Sequence, residues 1–151
     1  MSDRHPDGNR FTHVGVCVSD LERSVAFYCD VLGFSEVARR LHITDAGSAN
    51  LLGFHEMDVE LVYLERDAMR IELLWYREPE CRSDDGPRPM NLVGLTHLAF
   101  RVRDLDDLCR RIEVAGGTVL PDTTARFERG NRGVMTLDPD GIRVELIEEP
   151  A

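Results

Sequence analysis

The chain has 151 residues, enough for one compact domain with a real core, and its 18 Lys and Arg against 28 Asp and Glu leave a net charge of −10. That balance, with no basic patch, excludes nucleic acid as a partner, because such affinity rests on clustered cations. No apolar run approaches the roughly 20 residues that cross a bilayer and 1–10 holds no signal-like apolar stretch, so a cytoplasmic location without membrane contact is expected.

Residues 1–10 are polar, include Pro6 and Gly8, and read as a flexible arm ahead of a single domain over 11–151. From 13 to 18, Val14, Val16 and Val18 alternate with His13, Gly15 and Cys17, the period of a strand with one face on a core. Ser19 or Asp20 can cap a helix that carries Leu21, Val25, Phe27, Tyr28 and Leu32 and stops at Gly33. Strand character returns over 35–41, and the polar 45–50 segment is a candidate cover. Two strands, 58–64 and 69–76, flank the turn-like Glu65-Arg66-Asp67-Ala68. The stretch 77–91, with Pro79, Gly86, Pro87 and Pro89, reads as a linker.

The order then repeats. A strand at 96–102 leads into a helix at about 104–114 that ends at Gly116-Gly117, followed by strands near 118–120, 133–137 and 142–147; Asp138-Pro139-Asp140-Gly141 joins the last two as a tight turn. Each half is therefore predicted to be βαβββ, module 1 over about 11–76 and module 2 over about 92–148. The fold class is α+β: two paired modules forming a cup-shaped mixed sheet with helices on the outside. Cys17, Cys29, Cys81 and Cys109 show neither CxxC spacing nor a dense framework and read as reduced thiols.

The repeat extends to chemistry. Phe11-Thr12-His13-Val14 with Asp20-Leu21 recurs as Leu95-Thr96-His97-Leu98 with Asp104-Leu105, and Gly33 keeps the same step to Gly117. Arg70-Ile71-Glu72-Leu73 recurs as Arg143-Val144-Glu145-Leu146. On these strands Ile71, Leu73, Phe100, Val144 and their alternates form the core-facing sets, so His13, Glu72, His97 and Glu145 point to the opposite, concave side. Two imidazoles and two carboxylates are a ligand set for one divalent metal, and Zn, Ni, Co, Mn and Fe all accept it. Cys17, Leu74, Tyr76, Ala99, Arg101, Arg143 and Ile147 share that side; the Arg101 guanidinium could grip a substrate carboxylate or phosphate, or serve a structural ion pair.

With Phe27-Tyr28 through Gly33-Phe34 and Asp138-Pro139-Asp140-Gly141 added, the chain resembles the vicinal oxygen chelate superfamily over about 11–148; its members include glyoxalase I, methylmalonyl-CoA epimerase, extradiol dioxygenases, fosfomycin-resistance enzymes and bleomycin-binding proteins. The resemblance implies a divalent metal at His13, Glu72, His97 and Glu145, a small substrate bound through oxygen, and a proton moved next to a polarised carbonyl, with Glu145 and Glu72 as candidate carriers. Where glyoxalase I has an arginine and an asparagine that help bind glutathione, this chain has Cys17 and Tyr76. A further glutamate used by the epimerase corresponds in neighbourhood to His55 or Glu56, which makes Glu56 a candidate second base at the substrate. A metal-dependent lyase or isomerase is the leading expectation. A non-haem Fe(II) dioxygenase using His13, His97 and Glu145, and a protein that sequesters a drug or metabolite, are the alternatives. Such folds are often homodimers, some of which exchange modules between chains.

Overall fold

Alternation of apolar and polar residues sorts the strands into two sheets with one strand order. The computed structural model describes residues 8–83, 86, 88–128 and 130–149; most of the arm expected over 1–10 and three positions of the 77–91 linker lie outside them. In the first sheet β1 (Val14–Cys17) runs parallel to β5 (Met69–Glu78), and β5 pairs antiparallel with β4 (Asp58–Arg66). The far edge of β4 is shared by β2 (Ser35–Glu36) and β3 (Leu41–Ile43). The second sheet runs β6 (Leu98–Val102), β9 (Arg143–Glu148), β8 (Arg132–Leu137) and β7 (Thr118–Arg126), with β6 and β9 parallel and the rest antiparallel. The two βαβββ modules expected from the repeat are thus present.

Three local differences from the sequence reading have physical causes. The single strand expected over 35–41 is split into β2 and β3, because an edge strand has one neighbour and the ladder lapses where Arg40 turns to pair with Glu36 (3.0 Å) and Glu22. The 45–50 segment is a short helix, α2 (Ala46–Leu51), started by the Asp45 carboxylate accepting from Ser48 N–H at 2.9 Å. It does act as a cover: Ala49 packs with Met57, Val59, Leu61 and Leu74 on the face of the first sheet that bears Glu72. The first long helix is α1 (Leu21–Ala26), capped by Asp20, followed by a π-helical turn over Phe27–Val31. Phe27 and Tyr28, which open this wide turn, are both fully buried.

One core joins the modules. Val62, Leu64, Ile71 and Leu73 of the first sheet and Val102, Val134, Val144 and Leu146 of the second contribute to the same buried cluster, with Phe27, Tyr28, Leu32, Leu105 and Ile112 from the helical layer, which includes α3 (Leu105–Val114). Each such side chain contributes about 1.5–3 kcal/mol by leaving water. Polar contacts fix the junction: Tyr28 donates to the buried Asp138 carboxylate at 3.0 Å, Ser19 and Arg23 grip Asp140, and Arg111 donates to the carbonyls of Asp30 and Val31. Because the helix-bearing backs of both sheets meet in this core, their opposite faces look outward and away from each other.

The β4–β5 turn offers a stability test. Arg66 pairs with Met69, and Asp67 and Ala68 between them have φ of 51° and 62°, the two-residue turn whose twist matches the strands. A left-handed Ala is strained, so Ala68→Gly is expected to stabilise the fold by about 0.5–1 kcal/mol, measured as a higher urea midpoint at unchanged slope.

Candidate metal centre

Each module builds the same half-site by the same register. In the first, Gly15 of β1 lies opposite Glu72 of β5, and His13, two residues earlier, projects to the side of the Glu72 carboxylate. His13 Nε2 stands 3.2 Å from Glu72 Oε2, and its Nδ1 is 3.1 Å from the Thr12 hydroxyl. In the second, Ala99 lies opposite Glu145, His97 Nε2 stands 3.4 Å from Glu145 Oε2, and its Nδ1 is 2.9 Å from the Thr96 hydroxyl. Both rings therefore turn the same nitrogen toward a carboxylate and anchor the other on a threonine.

That geometry fits a cation. Two donors held about 2.1 Å from one metal stand roughly 3.0–3.4 Å apart for bond angles between octahedral and tetrahedral, which is the range both pairs occupy. A hydroxyl on Nδ1 orients the ring, as a hydrogen-bond partner on the second nitrogen does in metal-ligating histidines. A Cβ at Gly15 would sit in ordinary van der Waals contact, 3.4 Å from Leu74 and 3.8 Å from Glu72 Oε2. The structure brings the four sequence-predicted ligands together as two pairs and not as four, since the shared core separates the two outer faces. Among the described residues no group of three or more His, Cys, Asp or Glu is close enough to hold a metal.

The half-sites are unequal in one respect. Opposite Glu72 on β4 stands Tyr63, whereas opposite Glu145 on β8 stands Met135. The Tyr63 ring meets His13 edge-on at 5.4 Å, and its phenol pK is pushed up to about 12 by the hydrogen bond to Glu72 and by burial. Glu72 is thus held by a neutral donor, and among the described residues Glu145 has no such partner. Tyr63→Phe is expected to keep the fold and weaken metal binding at least about 10-fold, the scale of outer-shell losses, read by competitive titration against a chelator.

The remaining sequence candidates fall into place unequally. Tyr76 lies on the ligand side of β5, tilted against Phe54 at 5.5 Å, and its pK is raised by burial and by the neighbouring Cys17 and Glu72. Arg101 is exposed on the outer face of the second sheet and makes no ion pair among the described residues, so its guanidinium is free for an anionic group. Glu56 stands in the loop after α2 with its side chain 85% exposed and faces His55 at 3.8 Å; the structure does not bring it to either half-site. Sequence reasoning assigned no role to Thr12, Thr96 or Tyr63. A Thr directly before each repeated His was a usable signal, and the two-residue turn at Asp67-Ala68 fixes the register that sets Tyr63 opposite Glu72.

Paired βαβββ modules, each presenting a His and a Glu on the face away from its helix, define the class of fold to which the chain belongs. The chain belongs to the Glyoxalase/Bleomycin resistance protein/Dioxygenase superfamily, whose family model matches residues 10–146. Over 145 residues it is 33% identical to the uncharacterized protein YaeR of Escherichia coli, covering 91% of this chain and 94% of that one. It is 31% identical over 141 residues to a lactoylglutathione lyase of Salmonella typhimurium, covering 92% of each. A glyoxalase family protein from Bacillus cereus shares the fold with a TM-score of 0.83 at 22% identity, over 100% of this chain and 99% of the other. Among the described residues, no helix is long and apolar enough to cross a membrane.

Proposed function

We propose that the protein is a divalent-metal-dependent lyase or isomerase that moves a proton next to a carbonyl of a small oxygen-chelating substrate, with each metal centre shared between two chains. The observation that carries this reading is the duplicated Thr–His–Glu half-site, whose matching 3.2 and 3.4 Å separations recur on two outward faces. Half of a ligand set on each face calls for a second copy that sets its second half-site, His97 and Glu145, against the first, His13 and Glu72. Two further features fit such a homodimer. Phe11 and Leu95, repeat-related residues ahead of each half-site, are 74% and 77% exposed. Among the described residues, the outer face of the second sheet, with exposed Ala99 and Arg101, carries no cover of the kind α2 gives the first.

The residues divide the work. A bound divalent cation would supply electrophilic polarisation of the substrate carbonyl, acidifying the adjacent C–H. Tyr63 keeps Glu72 in place as a ligand, while Glu145, which has no comparable donor among the described residues, receives the proton and returns it. Arg101, Tyr76 and Cys17 lie on the substrate side, and Arg101 suits a carboxylate or phosphate. The lactoylglutathione lyase relatives support the lyase side; Cys17 and Tyr76, in place of residues that help bind glutathione in glyoxalase I, favour a carrier other than glutathione.

The test is solvent deuterium uptake, followed by NMR, into a panel of hemithioacetals and α-hydroxy carbonyl compounds. Protein stripped by a chelator is compared with protein reloaded with Ni(II), Co(II), Mn(II), Zn(II) or Fe(II). Exchange that needs metal and falls at least about 100-fold in Glu145→Gln is expected. Exchange indifferent to metal, or metal-dependent oxygen uptake in its place, would overturn the reading.

A further inference from the structure

One feature outside the proposed metal centre brings two reactive groups together. Cys17, at the end of β1, and Cys81, at the start of the linker, are distant in sequence, yet their sulfurs lie 3.8 Å apart. Cys81 is held there from several directions: its thiol lies 3.2 Å from the Val18 carbonyl, and the Tyr76 N–H donates to its sulfur at 3.3 Å. The two thiols sit in the wall between two open cavities and line both. One, of about 300 Å³, lies at the module junction beside Ser19, Thr96 and Arg143. The other, of about 650 Å³, opens on the Phe54 and Tyr76 side. A small reagent can therefore reach the pair, and the 3.8 Å between the sulfurs must shorten to about 2.05 Å for the bond to form.

We propose that Cys17 and Cys81 are a reversible thiol–disulfide site that reacts with low-molecular-weight disulfides. Neither thiol belongs to the proposed ligand set, so the exchange needs no metal, although Cys17 also lies on the side assigned to the substrate. In the first step the Cys81 thiolate attacks one sulfur of the small disulfide; that S–S bond breaks, a Cys81 mixed disulfide forms, and one small thiolate leaves and takes up a proton. In the second the Cys17 thiol gives up its proton and attacks the Cys81 sulfur, expelling the second small thiol. The protein has lost two hydrogens and two electrons, and the small disulfide has become two thiols. The order of attack follows from Cys17, the weaker first nucleophile of the two: burial and the neighbouring Cys81 sulfur push its pK up to about 11. The bond would fasten the beginning of the linker to the strand that follows His13.

Glutathione disulfide is the probe, applied to the full chain, with alkylation and mass mapping as readout. The expected result is loss of alkylation at Cys17 and Cys81 together, a Cys17–Cys81 linked peptide, no retained glutathione, and full reversal by dithiothreitol, with Cys29 and Cys109 still alkylated. Cys17→Ser should instead retain glutathione on Cys81, because the resolving thiol is gone; far-UV circular dichroism checks its fold. Both thiols still open to alkylation after oxidation would overturn the proposal. So would a stable glutathione adduct on the unaltered protein, or linkage through Cys29, Cys109 or a second chain.

Discussion

Mixing chains that lack the first half-site with chains that lack the second is expected to restore metal binding that neither possesses alone. The donors are His13→Ala with Glu72→Ala in one chain and His97→Ala with Glu145→Ala in the other, unfolded and refolded together. Each parent dimer would have a broken half at every centre, and its affinity should fall more than about 100-fold, since even outer-shell partners are worth 10–100-fold. In a mixed dimer with two-fold symmetry, one centre combines both damaged halves and the other combines both intact ones. With random association half the dimers are mixed and each holds one intact centre, so metal content should return to about a quarter of the unaltered protein's. A centre closed within one chain predicts no recovery at all. The outcome reads directly as bound Co(II) or Ni(II) after desalting, without any substrate.

The architecture behind that test was legible because both modules spell it in the same letters. The period of 13–18 and 96–102 placed the His residues on the outer face, Asp20 is the cap chosen from the Ser19 or Asp20 that the sequence offered, and the Asp138–Gly141 turn stands where it was expected. What the sequence could not reveal is which faces of the two sheets meet. Alternation says that Ile71 and Val144 are buried and Glu72 and Glu145 are not, but a strand pattern is satisfied equally by backs that share one core and by backs buried separately. The repeat also hides unequal causes under one letter. Gly33 and Gly117 occupy the same step, yet Gly33 is needed for its φ of 70°, a role that Gly116, with φ of 86°, fills in the second module. Gly117 is there for space: a Cβ would lie 2.6 Å from the Leu137 carbonyl oxygen and 2.7 Å from Ile112. Likewise α2 went unread because Ala-Gly-Ser-Ala-Asn-Leu has no apolar period, and its helix rests on the Asp45 cap and the docking of Ala49.

Removing the Tyr28 side chain should cost more stability than any other single change at the module junction. The residue is fully buried, its ring meets Phe27 at 5.7 Å and Phe34 at 5.8 Å, and its hydroxyl is the donor to Asp138 Oδ2, whose other oxygen accepts the N–H groups of Asp140 and Ile142. Tyr28→Ala opens a cavity worth about 3–5 kcal/mol and also strips a donor from a buried carboxylate, enough to remove most of the stability of an ordinary domain. Tyr28→Phe separates the two effects: it keeps the ring and loses only the donor, at about 1–3 kcal/mol. Its pH dependence has a definite sign. Burial raises the Asp138 pK above the ordinary carboxylate value of 3.8, so the folded state favours the protonated carboxyl; the group's contribution is most favourable at low pH and is lost as pH rises through the folded-state pK. Without the Tyr28 hydroxyl, which favours the ionised form, that pK climbs further. The gap between Tyr28→Phe and the unaltered protein should therefore be widest near neutrality and narrow as pH falls toward the unfolded-state value and Asp138 takes up a proton. Urea titrations of both proteins across that range measure it, and a gap that stays constant with pH would show that the hydroxyl acts on something other than the Asp138 charge.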